Sequence, residues 1–342
     1  MKIKFQKTIS RLILLLTLLC VKFSVFGQDL HYSQFYNAHV NINPALTGIF
    51  NGDIRLATNF RNQWPSVPVP YNTTTAAVDF KINRPCKPGF WGAGLVLNYD
   101  KAGDSQLNLA TLGFNGSYSI PLKEKSVITF GGQLALSRRA FSLDDLAFDE
   151  QWDGSQYIAT SAVTDAFDRK SVLIPDVSLG INYRIQKSPL HKWDIGLSLF
   201  HINRPQSPFY TDDKSVKLPM RLALNVLSSN RISSGWDLMI NGLAQFQGAF
   251  REIIIGAGPK FTINQKAGKN HSIGLLLNYR LQDALAPALQ IQINDLQVGL
   301  SYDINTSPFN VTTGRKGGPE LSLLYFINKV KPFDKPQFCP IY

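Results

Sequence analysis

Asp149, Gln151, Asp153 and Gly154 open like a calcium-binding loop, which offers oxygen ligands at alternate positions before a glycine turn. The twelfth position, where such a loop needs a bidentate glutamate, is Thr160, so the ligand set is incomplete. Gly256-Ala257-Gly258-Pro259-Lys260 has the glycines and lysine of a phosphate cradle. Such a cradle leads into a helix N-terminus, and here the surrounding pattern is that of a strand. His31, His39, His191, His201 and His271 stand singly, without the close pairing of a zinc site. A Ser/His/Asp triad can assemble from distant strands, but no constellation stands out. An outer-membrane lipase would need its serine on a face that is aliphatic and aromatic in this chain. A non-enzymatic protein without metal or cofactor is therefore expected.

The elements around these residues say more. Leu296, Val298, Leu300, Tyr302 and Ile304 alternate with Gln297, Gly299, Ser301 and Asp303. Ile273, Leu275, Leu277, Tyr279 and Leu281 repeat the pattern, as do Val177, Leu179, Ile181, Tyr183 and Ile185. Period two is the signature of β-strands, whose successive side chains point to opposite faces. Turn residues divide the chain into strands near 53–64, 72–83, 90–100, 106–120, 126–139, 172–186, 191–202, 218–228, 235–247, 250–263, 270–281, 284–293, 295–305 and 318–328. About fourteen strands, each with one greasy and one wet face, predict an all-β fold: a transmembrane antiparallel β-barrel of outer-membrane type over 53–328. The wet face often carries small residues, including Gly92, Gly94, Gly131, Ala284, Ala286 and Ala288. They leave room for a plug, a ligand or water. Residues 28–52, ahead of the first strand, are expected to be either that plug or a periplasmic arm.

The compartment follows from the start of the chain. Lys2, Lys4, Lys7 and Arg11 precede an apolar run, Leu12 to Leu19, followed by small residues and a cleavage site after Gly27, which reads as a signal peptide over 1–27. The run is too short to span a bilayer as a helix. Cys20 invites a lipoprotein alternative, but Leu19 stands where a small residue should precede the cysteine. Of the net charge of +11, five cations (Lys2, Lys4, Lys7, Arg11 and Lys22) belong to this segment, leaving +6. That modest basicity names no partner, and nucleic acid is not expected. Cys86 and Cys339 remain, either as a disulfide or as two separate thiols.

Strand parity predicts sidedness. Connections after odd-numbered strands include the three longest (140–171, 203–217 and 306–317), whereas those after even-numbered strands are short. Long loops outside and short turns inside is the outer-membrane pattern, with both termini, including the tail 329–342, expected in the periplasm. Acids such as Asp144, Asp149, Asp153, Asp165 and Asp212 gather in the long loops. Lys123, Lys125, Lys266 and Lys269 gather in the short turns and predict a basic periplasmic rim.

Three stretches point to a family. His31-Tyr32-Ser33-Gln34-Phe35-Tyr36, followed by Asn43-Pro44-Ala45 and Gly48, resembles the opening of PorP/SprF proteins of Bacteroidota. Arg61-Asn62-Gln63-Trp64 resembles that family's next landmark, and Cys339-Pro340 its ending, although Ile341-Tyr342 replaces the usual Arg-Phe. Asn43-Pro44 favours a turn before the barrel, and Gly48 allows a positive φ there. Trp64 is expected to anchor at the membrane interface, and Arg61 to pair with an acid of the lumen or a loop. The resemblance implies an outer-membrane component of the type IX secretion system. It would support export or surface attachment of adhesins and gliding motility. Implied partners are a cargo C-terminal domain and a periplasmic ring or peptidoglycan-binding lipoprotein, with outer-membrane lipid around the barrel. A passive channel or transporter for hydrophobic solutes is the alternative.

Overall fold

The computed structural model describes residues 29–328 apart from 69, 84–87, 104, 124, 143–145, 147–148, 157, 159–169, 189, 210–215, 265–269 and 309. Its strands are β1 (Ile54–Gln63), β2 (Tyr71–Asn83), β3 (Phe90–Ala102), β4 (Leu107–Lys123), β5 (Ser126–Ala140), β6 (Ser171–Ser188) and β7 (His191–Phe200). They continue as β8 (Arg221–Ser233), β9 (Trp236–Gln247), β10 (Phe250–Asn264), β11 (His271–Arg280), β12 (Ala284–Ile293), β13 (Leu296–Asn305) and β14 (Lys316–Ile327). Each pairs antiparallel with its sequence neighbours. β1 closes on β14 in the register Ile54↔Ile327 to Arg61↔Glu320, giving a closed fourteen-stranded barrel with no free edge. Closure satisfies the strand backbone internally, which a lipid environment demands.

Burial along the strands is inverted relative to a soluble protein. On β11, Leu275, Leu277 and Tyr279 are exposed, whereas Ser272, Asn278 and Arg280 are buried. β13 behaves likewise, with Leu300 and Tyr302 outward and Gln297, Ser301, Asp303 and Asn305 inward. The apolar half of the alternation thus faces lipid and the polar half faces the lumen. Exposed aromatics cluster at both ends of this band: Trp91, Trp236, Phe261 and Tyr325 toward the short turns, and Tyr71, Tyr99, Tyr279 and Tyr302 toward the long connections. That is the double girdle of an outer-membrane barrel. Among the described residues no helix is long and apolar enough to cross a membrane.

The short turns are built by left-handed residues. Asn294 at φ 53 and Gly235 at φ 79 link β12 to β13 and β8 to β9. Such positions suit Asn and Gly, because they avoid or tolerate the Cβ clash of this region. β8 runs to Ser233, beyond the expected 228, because Ser229, Asn230 and Arg231 can remain in the sheet at the barrel's mouth. β4 likewise passes Pro121 to reach Lys123. The expected signal peptide and C-terminal tail lie outside the described residues.

Candidate functional site

The lumen is occupied by the chain's own residues 29–52. From Tyr32 to Phe50 all but Tyr36 are buried, and Tyr36 packs against Met239, Leu276 and Ala288. Three one-turn helical pieces, Phe35–Asn37, His39–Ile42 and Pro44–Leu46, make the segment compact. Phe35, Ile42, Leu46 and Ile49 form a small apolar core with the inward Phe200, Ala223, Leu243 and Ile254. The rest of the segment is held by polar contacts at three levels.

At the end that carries the long connections, two acids meet Ser33 and Gln34. The backbone N–H groups of both residues donate to the Glu320 carboxylate, each at 2.8 Å. Ser33 Oγ donates to Asp303 at 2.6 Å and accepts from Arg280 at 3.0 Å. Asp303 is itself shared by Arg61 at 2.8 Å and Arg280 at 2.9 Å, while Arg61 also donates to the His31 carbonyl. Arg61 therefore links the segment to the wall through the kind of acid the sequence suggested. Burying these charges requires such pairing, since an isolated one would be costly.

In the middle, Asn43 accepts from the Ala45 N–H and thereby caps the turn that Pro44 begins. Its amide donates to the Ile181 carbonyl and to Asn225, at 3.0 and 3.1 Å. Gly180 and Gly196 flank that amide so closely that a Cβ on either would overlap it. A Cβ on Gly131 would lie 2.5 Å from Ala45 Cα and from the Pro44 carbonyl carbon. At Gly92 it would lie 2.5 Å from the Thr47 oxygen. The inward glycines therefore form the seat of the segment.

At the short-turn end, Gly48 at φ 75 donates its N–H to Asp79 at 2.7 Å. Arg55 grips the same carboxylate with two bonds, at 2.9 and 2.8 Å, and also reaches the Leu46 carbonyl. Lys81 donates to the Phe50 carbonyl at 2.5 Å and lies over the Phe50 ring.

The described chain begins at the opposite mouth. Asp29 lies 2.6 Å from His201 Nε2 and 3.1 Å from Arg221 Nε, and its N–H donates to Gln247. Asp176 takes the other ring nitrogen of His201 at 2.9 Å. With a carboxylate at each nitrogen, His201 is a clamp and has no free lone pair to act as a base. Burial disfavours its charged form, but Asp29 and Asp176 outweigh that and raise its pKa to about 9. Burial likewise opposes ionisation of Asp29, and His201 and Arg221 overcome it to hold the carboxyl far below its usual range. Both termini were expected on the short-turn side. Ile54 and Ile327 do share that end, but Asp29 sits at the other, because the segment crosses the lumen lengthwise before β1 starts.

Ser33, Gln34, Asn43, Pro44, Gly48 and Arg61 thus converge in the lumen. Gln63 ends β1, and Trp64 follows it at φ 57, half-buried, donating its backbone N–H to Gly317 and meeting Tyr71 edge-on at 5.3 Å. Lys125 is exposed in the turn after β4, and Lys123 closes that strand. Lys266, Lys269, Cys86, Cys339 and Pro340 lie outside the described residues. Asp153 accepts the Ser155 and Gln156 N–H groups in a local turn. The described residues contain no group of three or more His, Cys, Asp or Glu suited to a metal ion.

Residues 24–325 match a family described as the type IX secretion system membrane protein PorP/SprF. The chain belongs to the PorP/SprF family. Its Ser33-Gln34, Asn43-Pro44 and Arg61 landmarks are the residues that tie the luminal segment to the wall. No curated protein matches this PorP/SprF sequence. Among solved structures it is similar to the toluene transporter TbuX of Ralstonia pickettii, at 10% identity and a TM-score of 0.47, covering 85% of this chain and 94% of that one. A Pseudomonas aeruginosa FadL homologue shares 10% identity, with a TM-score of 0.43 and coverage of 83% and 92%. BamA from Haemophilus ducreyi lacking POTRA domains 1–3 shares 8%, with a TM-score of 0.42 and coverage of 80% and 70%. This PorP/SprF protein is an outer-membrane β-barrel, and likenesses this distant say nothing further about its role.

Asp79, Asp303, Glu320, Arg280 and the Asp29–His201–Arg221 cluster were given no role in holding a luminal segment from sequence. All but Asp29 and His201 lie at inward positions of strands. A charged residue in the inward register of a barrel strand was the available signal.

Proposed function

We propose that this PorP/SprF barrel is a closed, non-enzymatic outer-membrane component of the type IX secretion system that supports export or surface attachment of adhesins, and with it gliding motility. The family match across residues 24–325 is the observation that carries this role. The filled lumen adds how the barrel works: with Tyr32–Phe50 anchored at three levels, its partners meet its two ends and not its interior. Removal of residues 1–27 as a signal peptide delivers it to the periplasm, and 53–328 insert as the barrel. The long connections 140–171, 203–217 and 306–317 face outward and receive the C-terminal domain of a secreted cargo. The short turns and the tail 329–342 face the periplasm. There Lys123, Lys125, Lys266 and Lys269 meet the acidic surface of a ring protein or a peptidoglycan-binding lipoprotein, by charge complementarity.

Deleting 140–171 and 203–217 tests the outer half of this role. Cargo should be lost from the cell surface while the barrel still assembles, and unchanged cargo retention on an assembled barrel would refute it. Charge reversal at Lys123, Lys125, Lys266 and Lys269 tests the inner half. Periplasmic partners should cease to co-purify, and unchanged co-purification would refute it. The passive-channel alternative requires an open lumen, and residues 29–52 speak against it; a steady conductance from the wild-type protein in planar bilayers would restore it.

A further inference from the structure

We propose that the mature N-terminus of this protein emerges at the cell surface, through the mouth that carries the long connections. The proposal rests on the orientation given above, with those connections outward. Every group that holds Asp29 belongs to that mouth: Gln247 is the last residue of β9, Arg221 the first of β8, and His201 follows the last residue of β7. His201 is fixed in turn by Asp176, near the start of β6 at the same end. Asp29 is thus pinned by its backbone through Gln247 and by its side chain through two cations.

From there the chain has one way out. Just inside the mouth, Tyr32, Ser33 and Gln34 are buried and hydrogen-bonded to the wall, and Phe35 is buried in the apolar core with inward wall residues, so the lumen is blocked by the segment itself. Burial also grades outward, since Asp29, Leu30 and His31 are only partly covered while Tyr32 to Phe35 are fully so. The proposed cleavage after Gly27, on which this step also rests, leaves one residue ahead of Asp29. One extended residue reaches at most about 3.6 Å, against an apolar band about 25 Å tall. The new end cannot turn back to the periplasm and must lie at the outer mouth. The topology has an assembly consequence: the N-terminal end must reach the outer side before β1 and β14 close the ring around the segment.

The test places one short epitope at three sites of the full-length protein in cells: between Gln28 and Asp29, at Ser307-Pro308 in the connection after β13, and in the Asn294-Asp295 turn. Antibody on intact cells should stain the first two, and stain the third only after permeabilisation. A shielded N-terminal epitope beside a stained 307–308 epitope overturns the proposal while leaving the orientation standing. Staining at 294–295 with shielding at 307–308 overturns the orientation, and the surface location with it. Should the N-terminal insert block assembly, Leu30→Cys in a Cys86→Ser, Cys339→Ser background takes its place. A small membrane-impermeant thiol reagent should label it equally before and after permeabilisation, and labelling only after permeabilisation refutes the proposal.

Discussion

Gly131→Ala should loosen the luminal segment without harming the barrel, and its neighbour Gly132→Ala should do neither. Both glycines lie on β5, one residue apart, and therefore point to opposite faces. A Cβ at 131 would sit 2.5 Å from Ala45 Cα and Pro44 C, backbone atoms that have no rotamer to yield. The nearest atom, Ala45 N, would lie at 2.4 Å, so restoring ordinary contact at 3.4 Å requires the segment to back away by about 1.0 Å. A Cβ at 132 would find its nearest neighbour, Leu179 Cδ2, at 3.5 Å. Overpacking of this kind costs about 1–3 kcal/mol, which lowers the docked-to-undocked ratio of the segment by about 5- to 150-fold. The strand itself gains, because alanine is favoured over glycine in a strand interior by about 0.5–1 kcal/mol. Purified protein in lipid vesicles allows the comparison, with protease nicking within 29–52 and single-channel conductance as readouts. Gly131→Ala should show faster nicking and intermittent conductance while retaining its β-sheet signal, and Gly132→Ala should match wild type. Identical behaviour of the two variants would refute the seating of the segment against β5.

Arg61→Ala removes the cation shared by Asp303 and the His31 carbonyl. Breaking a buried pair costs about 3–5 kcal/mol. The lower end is expected here because Arg280 still holds Asp303, and a double-mutant cycle with Asp303→Ala in thermal unfolding should show non-additivity. At the long-connection mouth, His201 titrates at about 9 in the folded protein, above its ordinary 6.5, so its clamp on Asp29 is complete below about pH 6.5 and is lost as pH rises through 9. Protease access to the Asp29 end should increase over that window, and His201→Gln should flatten the dependence. Leu275→Arg places a charge on the lipid face at an exposed position of β11. It should cost about 2–4 kcal/mol if it lies near the bilayer midplane, read as reduced insertion into vesicles.

The barrel was legible because its physics is local. Period-two alternation needs no partner to be read, and β11, β12 and β13 begin and end within a residue or so of the boundaries expected from turns. The far end of β8 was less legible, since Ser229 to Arg231 look like a turn yet still pair with β9. The luminal segment was less legible. Its contacts join Ser33 to Asp303 and Asn43 to Asn225, residues brought together only by ring closure, and neither alternation nor spacing reports on such pairs. The small inward residues hinted at an occupant, and Gly131 is part of its seat. The direction of travel, from the long-connection mouth to the short-turn end, left no sequence signal, because the Asp29 clamp draws on Asp176, His201 and Arg221 from separate stretches. Trp64's left-handed φ was equally silent, being imposed where β1 ends beside Gly317.

A tagged form of the full-length protein, isolated from gently solubilised outer membranes and followed by mass spectrometry of what accompanies it, tests the secretion role most directly. Membership in the PorP/SprF family and a closed lumen predict recovery of a type IX cargo domain or a periplasmic ring component together with a non-conducting barrel. Recovery of the folded barrel alone, in good yield and conducting in planar bilayers, would contradict the account.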